Sequence, residues 1–156
     1  MTRFSWTLRS CGLALSLVAG LAVLKAEMTK FTHGEMQFKV GAEQYQIPLS
    51  RLADASYLSG PGGGKGLLGL VYTGVKPQGP VTPNARFAVN INGPGKYDKS
   101  AIMNFVVQTG IRGWNFTRNK DDCAINIIRA DTSGVEGTVT CTTPVPFSEM
   151  KFNAKP

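Results

Sequence analysis

Apolar and polar residues alternate along several short segments of the chain. Over residues 35–40 the apolar side chains Met36, Phe38 and Val40 stand at every second position, and residues 86–92 repeat this pattern. Because successive side chains of a strand point to opposite faces, a period of two predicts a strand with one buried and one solvated face. Both segments are therefore predicted strands.

Further apolar segments bounded by turn residues predict additional strands at residues 44–47, 67–72, 101–108 and 150–154, and two more between Cys123 and Cys141 on either side of a turn at residues 131–134. Gly69 indicates a bulge or a close backbone approach inside one of them. A single short helical turn is predicted over residues 50–54, with Ser50 as its N-cap. About seven to nine short strands joined by Gly/Pro turns favour an all-β fold, an antiparallel β-sandwich or barrel.

The segment from Cys123 to Cys141 reads as a β-hairpin closed by a disulfide. If facing residues have numbers that sum to 264, the two cysteines are opposite each other and Arg129 faces Val135. A sum of 265 would instead pair Arg129 with Glu136. Since a disulfide needs Cα atoms within about 7 Å, the cysteines favour the first register.

The end of the chain has a pattern that is typical of a known class of β-proteins. Residues 134–141 have the pattern G-V-x-G-T-V-T-C, and Phe152 and Ala154 alternate with polar residues in the segment that follows. This ending resembles the C-terminal hairpin of many small exported bacterial β-proteins. The resemblance covers about the last third of the chain, implies β-structure there, and carries no catalytic or binding residue with it.

The N-terminus has the pattern of an export signal. Arg3 and Arg9 precede an uncharged apolar run over residues 11–24. This run is shorter than the roughly 20 residues that a membrane-spanning helix needs, although an uncleaved signal anchor is the alternative. Cleavage is expected after Ala26, with Ala22 as the second choice. Residues 1–26 are therefore a predicted signal peptide, and residues 27–156 a single domain.

Composition and cysteine usage support the same compartment. Removing the signal lowers the formal charge from +7 to +4, and the remaining bases are scattered singly. We therefore expect no nucleic-acid partner, and membrane contact only during export. Two cysteines remain to form the disulfide, which an oxidising compartment permits. The expected location is extracytoplasmic, either periplasmic or secreted.

Catalytic and cofactor chemistry has few candidate groups. His33 is the only histidine, and the two remaining cysteines are assigned to the disulfide, so neither a metal site nor a cofactor is predicted. The glycine-rich residues 59–66 depart from the phosphate-loop pattern, because Ser59 and Gly66 stand where that pattern needs Gly and Ser or Thr. No serine has the surroundings of a hydrolase nucleophile.

Two segments are candidate binding surfaces. One is the glycine-rich loop, whose alternative interpretation is simple flexibility, and the other is an aromatic and basic strip, whose alternative is a pair of core aromatics. The residues concerned are Gly62, Gly63, Gly64 and Lys65 in the loop, and Arg112, Trp114, Phe116 and Arg118 in the strip.

The leading functional hypothesis is a non-catalytic exported β-domain that binds an unknown protein, glycan or envelope component through loops. A specific version is an inhibitor of a secreted hydrolase. The alternatives are an enzyme that uses carboxylates such as Asp98, Asp121 or Asp122, and a structural subunit of the cell surface that pairs through an apolar edge such as residues 67–72.

Overall fold

The computed structural model describes residues 28–51, 56–60, 64–74, 82–110, 112–142 and 145–156. In these ranges the chain forms strands and turns with no helix, and the strands make two antiparallel sheets packed as a sandwich. The predicted all-β sandwich is confirmed. No helix in the same ranges is long and apolar enough to cross a membrane. The predicted signal peptide and residues 52–54 of the predicted helix lie outside the described residues.

Sheet I contains six strands, which follow in spatial order. They are β1 (Met28–Lys30), β4 (Tyr57–Ser59), β5 (Lys65–Thr73), β6 (Asn84–Asn92), β8 (Ile102–Gln108) and β9 (Gly113–Asn115). Strand β5 covers the predicted strand at residues 67–72 and pairs with neighbours on both sides. Gly69 in this strand is a point of close approach without a bulge, because a Cβ atom there would lie 3.2 Å from the ring of Tyr57.

Sheet II also contains six strands. In spatial order they are β3 (Glu43–Pro48), β2 (His33–Val40), β12 (Ser148–Lys155), β11 (Gly134–Cys141), β10 (Cys123–Asp131) and β7 (Gly95–Tyr97). The composition of residues 93–98 (GPGKYD) predicts a turn, but residues 95–97 form strand β7. This strand pairs with β10, and the Tyr97 hydroxyl accepts the Asn92 N–H and donates to the Gly93 carbonyl.

The two sheets enclose one apolar core. Side chains from both sheets are fully buried in it, among them Met36, Leu68, Val89 and Ile125. A polar contact also crosses the core, since the Tyr72 hydroxyl of β5 donates a 3.0 Å hydrogen bond to a carbonyl of β12. Burial raises the pKa of Tyr72 well above its ordinary value of 10.0.

The β10–β11 hairpin contains both registers that the sequence allows. Cys123 faces Cys141 and forms the predicted disulfide, with a Cα–Cα distance of 4.0 Å. The register then shifts by one residue at Ile128, so Arg129 faces Glu136 on the outer side of the sheet. The predicted pairing of Arg129 with Val135 is therefore wrong, because a β-bulge adds one residue to this strand.

A second bulge lies in sheet I. The pairing between β6 and β8 passes over Met103, which stands between Ile102 and Asn104. Met103 is 58% exposed, and Ile128 at the other bulge is 54% exposed. Each sheet therefore exposes one large apolar side chain to solvent at a bulge. Bulges commonly change the direction in which a side chain points.

Candidate functional site

Three central strands of sheet II bring a group of polar side chains together on its outer face. The pairing places Asn153 of β12 between Glu35 of β2 and Glu136 of β11. In the next row Lys151 lies between Gln37 and Thr138. Outward side chains directly opposite each other on paired strands are about 5 Å apart, so the two rows form a compact polar patch.

The same residues line a depression of about 310 Å³. Ile128 contributes to its lining from the bulge in β10, and Gly137 and Phe152 complete it. Its volume lies at the lower end of the range of about 300–1,000 Å³ for ligand pockets, which suits a small ligand. The polar residues that line this depression belong to strands and not to loops. The backbone hydrogen bonds of the sheet therefore fix their positions.

The carboxylate of Glu35 is held by two amide groups. The Gln37 side-chain amide donates a 2.8 Å hydrogen bond to one oxygen, and the Gln46 amide donates to the other. These contacts fix the orientation of the carboxylate. The remaining lone pairs of its oxygens and the second N–H of each amide are available for further hydrogen bonds.

Charge in the depression is nearly balanced. Glu35 and Glu136 are acidic, Lys151 is basic, and Arg129 stands opposite Glu136 in the ladder. Amides and the Thr138 hydroxyl supply both donors and acceptors. This combination suits a neutral ligand rich in hydroxyl or amide groups. The described part of the chain holds no group of three or more His, Cys, Asp or Glu residues that could bind a metal ion.

The predicted glycine-rich surface lies only partly within the described residues. Gly62 and Gly63 are outside them, while Gly64 is buried and Lys65 is exposed at the start of β5. The Gly64 carbonyl accepts a 2.9 Å hydrogen bond from the N–H of Gly93. Its φ of +77° and a backbone contact with Ala130 leave room for glycine alone.

The predicted aromatic and basic strip lies at β9, on the edge of sheet I. Trp114 and Phe116 are half-buried, and the Trp114 ring lies 5.3 Å from Phe105 and 5.1 Å from Phe147. Arg112 and Arg118 are exposed at the two ends of the strip. The rings therefore pack against the core while the arginines reach solvent, and none of the four lines the depression on sheet II.

The three aspartates proposed for an enzyme each stabilise a turn or the open end of the β10–β11 hairpin. Asp98 accepts hydrogen bonds from the hydroxyl and backbone N–H of Ser100, and these contacts lower its pKa. Asp121 accepts the N–H of Thr117 at 2.6 Å. Asp122 contacts the Thr142 hydroxyl at 3.1 Å. A second depression of about 340 Å³ beside β7 is lined by Asp98 but by neither of the other two.

The residues of the sheet II depression were not predicted as a site. Their outward orientation follows from the alternation in each strand, for example at Glu35 and Gln37. Their convergence depends on the pairing of β2 with β12, strands that lie at opposite ends of the described chain. No local pattern in the sequence carries that information.

Comparison with known proteins adds no relative. No family model matches the chain, and neither the curated proteins nor the solved structures contain a significant match.

Proposed function

We propose that this protein is an exported, non-catalytic binding domain that holds a small hydroxyl-rich ligand, such as a saccharide, on the outer face of sheet II. A disulfide in a small β domain is consistent with an extracytoplasmic location. The periplasm and the exterior both satisfy this condition. Cleavage after Ala26 would leave every described strand intact, since β1 begins at Met28.

The observation that carries the proposal is the depression lined by six polar side chains from three adjacent strands. Solvated sheet faces are usually polar, but this one is also concave and contains a carboxylate fixed by two amides. Binding sites built on strands lose little conformational freedom when a ligand binds. The proposed binding surface is thus a strand face, whereas the sequence favoured loops.

The chemistry of the lining selects the ligand class. The lining contains two carboxylates and one ammonium group, and Arg129 lies opposite Glu136 in the ladder, so the net charge is small and a strongly charged ligand such as a nucleic acid gains little. Saccharide hydroxyl groups both donate and accept hydrogen bonds, which matches the amides of Gln37 and Asn153 and the hydroxyl of Thr138. Ile128 offers an apolar contact for the C–H face of a sugar ring.

A glycan array probed with the purified, oxidised protein tests the proposal. We expect binding to a restricted set of glycans. Thr138→Val should weaken the strongest interaction roughly fivefold, because one hydrogen bond is lost. Thr140→Val is the matched control, since Thr140 lies on the same strand and face but outside the depression. Absence of any glycan signal, or equal losses in both variants, would reject the proposed site.

A second candidate function is a carboxylate-based glycosidase, because Glu35 and Glu136 line the same depression. Asn153 separates them in the ladder, which places their Cα atoms about 10 Å apart. Glu136 is exposed to solvent, and both oxygens of the Glu35 carboxylate already accept hydrogen bonds from amides. Binding is therefore favoured. Cleavage of a bound glycan, abolished in Glu136→Gln, would establish the enzyme instead.

A structural subunit that pairs through residues 67–72 has less support. This segment belongs to β5, which pairs with β4 on one side and with β6 on the other. Its backbone N–H and C=O groups are therefore used within sheet I. The edge strands of the two sheets are β1, β9, β3 and β7.

A further inference from the structure

Charge is sorted between the two sheets. The six strands of sheet I contain no aspartate or glutamate, and their only charged side chains are Lys30, Lys65 and Arg86. The strands of sheet II contain five acidic residues and five lysines or arginines. Acidic side chains in the strands are thus confined to one sheet, and the charged side chains in the strands of the other sheet are all basic.

The outer face of sheet I is also more apolar than that of sheet II. Five outward side chains are half-buried and apolar, namely Tyr57, Leu67, Val71, Ala88 and Val106. Met103 and Met28, at 58% and 52% exposure, are two of the three large apolar side chains that are exposed in the described chain. Both belong to sheet I.

The pairing places these groups across one surface. Arg86 lies in the middle of the sheet between Val71 and Val106. Met28 is on β1 and Met103 is on β8, with β4, β5 and β6 between them. At about 4.8 Å per strand, the two methionines are roughly 20 Å apart. The outer face of sheet I therefore carries Arg86 near its centre and an exposed methionine on each side of it, Met28 on β1 and Met103 on β8.

We propose that the outer face of sheet I docks onto an anionic lipid bilayer, which extends membrane contact beyond the export step expected from the sequence. Basic side chains near such a surface are attracted to its negative potential, and apolar side chains gain by entering the boundary between headgroups and acyl chains. An anionic polymer such as a nucleic acid would satisfy Lys65 and Arg86 but would leave the exposed methionines in water. This inference is independent of the ligand proposed for sheet II.

Sedimentation with vesicles measures this interaction directly. The oxidised protein that begins at Glu27, without the predicted signal peptide, is mixed with vesicles of equal parts phosphatidylglycerol and phosphatidylcholine, or of phosphatidylcholine alone. We expect binding to the anionic vesicles only. Raising the salt from about 0.1 M to about 1 M shortens the screening length from about 10 Å to about 3 Å and should release most of the protein.

Matched variants locate the docking face. Each cation near an anionic surface strengthens partitioning about fivefold, so Lys65→Gln combined with Arg86→Gln should weaken it roughly thirtyfold. Lys96→Gln removes the same charge from β7 of sheet II and should lower partitioning less than Lys65→Gln. Met103→Thr should also weaken binding to anionic vesicles, whereas Ile128→Thr, the corresponding change in sheet II, should not.

Several outcomes would overturn the proposal. They are absence of binding to anionic vesicles at low salt, equal binding to neutral vesicles, and losses with Lys96→Gln as large as those with Lys65→Gln. Retention on DNA or on polyglutamate with no vesicle binding would assign the face to a soluble polyanion instead. Unchanged thermal unfolding of each variant excludes misfolding as the cause of a loss.

Discussion

The outer faces of the two sheets are built from the same kind of strand but carry different chemistry. Sheet II presents balanced charge and a depression of about 310 Å³ lined by amides, a hydroxyl and two carboxylates. Sheet I presents basic and apolar groups with no acidic side chain in its strands. A single alternating pattern therefore fixes which residues face outward, while the pairing of strands decides what those residues can do together.

The bulges make this contrast sharper. Ile128 and Met103 are both apolar, both exposed and both placed by a single-residue shift in register. Ile128 lines the polar depression, whereas Met103 extends from the basic face. A β-bulge thus exposes an apolar side chain on each of the two surfaces. Substitutions at Ile128 and Met103 therefore distinguish the proposed glycan-binding face from the proposed membrane-docking face.

The largest expected effect is on the free energy of unfolding. It tests whether the two sheets differ only in their outer surfaces or also unfold separately. Replacing Cys123 and Cys141 by Ser removes a disulfide bond that links two strands of sheet II. The free energy of unfolding should fall by about 3 kcal/mol, because the unfolded chain regains the entropy of a closed loop. Since the sheets share one core, sheet I should be destabilised equally.

Urea unfolding followed by Trp114 fluorescence reports on sheet I, because the other tryptophan, Trp6, lies in the predicted signal peptide and is absent from the protein that begins at Glu27. We expect its midpoint to shift together with that of the far-ultraviolet circular dichroism. A Trp114 midpoint that stays in place while the dichroism shifts would show that the sheets unfold independently. Reduction of the wild-type protein is the control for the cysteine substitutions.

Tyr72→Phe removes the hydrogen bond that joins the sheets across the core. Stability should fall by about 1 kcal/mol, the usual contribution of such a bond. Tyr57→Phe, which removes a hydroxyl from a half-buried ring, is the matched control and should cost less. A larger loss in Tyr57→Phe would show that the buried bond contributes little.

The same residue makes stability depend on alkaline pH. Burial raises the pKa of Tyr72 above its ordinary value of 10.0, so the unfolded chain loses this proton first as the pH rises. Stability is therefore fully present below about pH 10 and falls above it. The fall should be shallower in Tyr72→Phe, although Tyr45 retains part of it because hydrogen bonding to Glu43 also raises its pKa.

The smallest effect on stability is expected at the bulge residues Ile128 and Met103. Ile128→Thr and Met103→Thr alter exposed side chains, so each should change the free energy of unfolding by less than about 0.5 kcal/mol. Their effects on binding should differ: Ile128→Thr weakens glycan binding, and Met103→Thr weakens binding to anionic vesicles. Equal effects of both substitutions on either ligand would remove the functional contrast between the faces.

The fold could be predicted from sequence where the strands are long enough to show a period. Residues 35–40 and 86–92 alternate clearly and lie within β2 and β6. Strands β1, β4, β7 and β9 have three residues each, too few to establish alternation. In the hairpin the cysteines fixed the register at one end, but they could not show the bulge at Ile128.

The surfaces could not be predicted because they depend on long-range pairing. Glu35 and Glu136 become near neighbours only when β12 lies between their strands. Likewise, Lys65 and Arg86 are two of the basic residues that are scattered along the sequence. Only the assignment of strands to sheets shows that every acidic residue in a strand belongs to the other sheet. The charge of a face is a property of topology as much as of composition.

The most direct test of the contrast is a methyl spectrum of the protein with anionic vesicles that contain a trace of a gadolinium-chelating lipid. The outer faces lie on opposite sides of a sandwich whose sheets are about 10 Å apart, and paramagnetic relaxation falls steeply with distance. We predict that the Met103 methyl signal is lost while that of Ile128 persists. Loss of the Ile128 signal first, or loss of both together, would contradict the assignment of separate roles to the two faces.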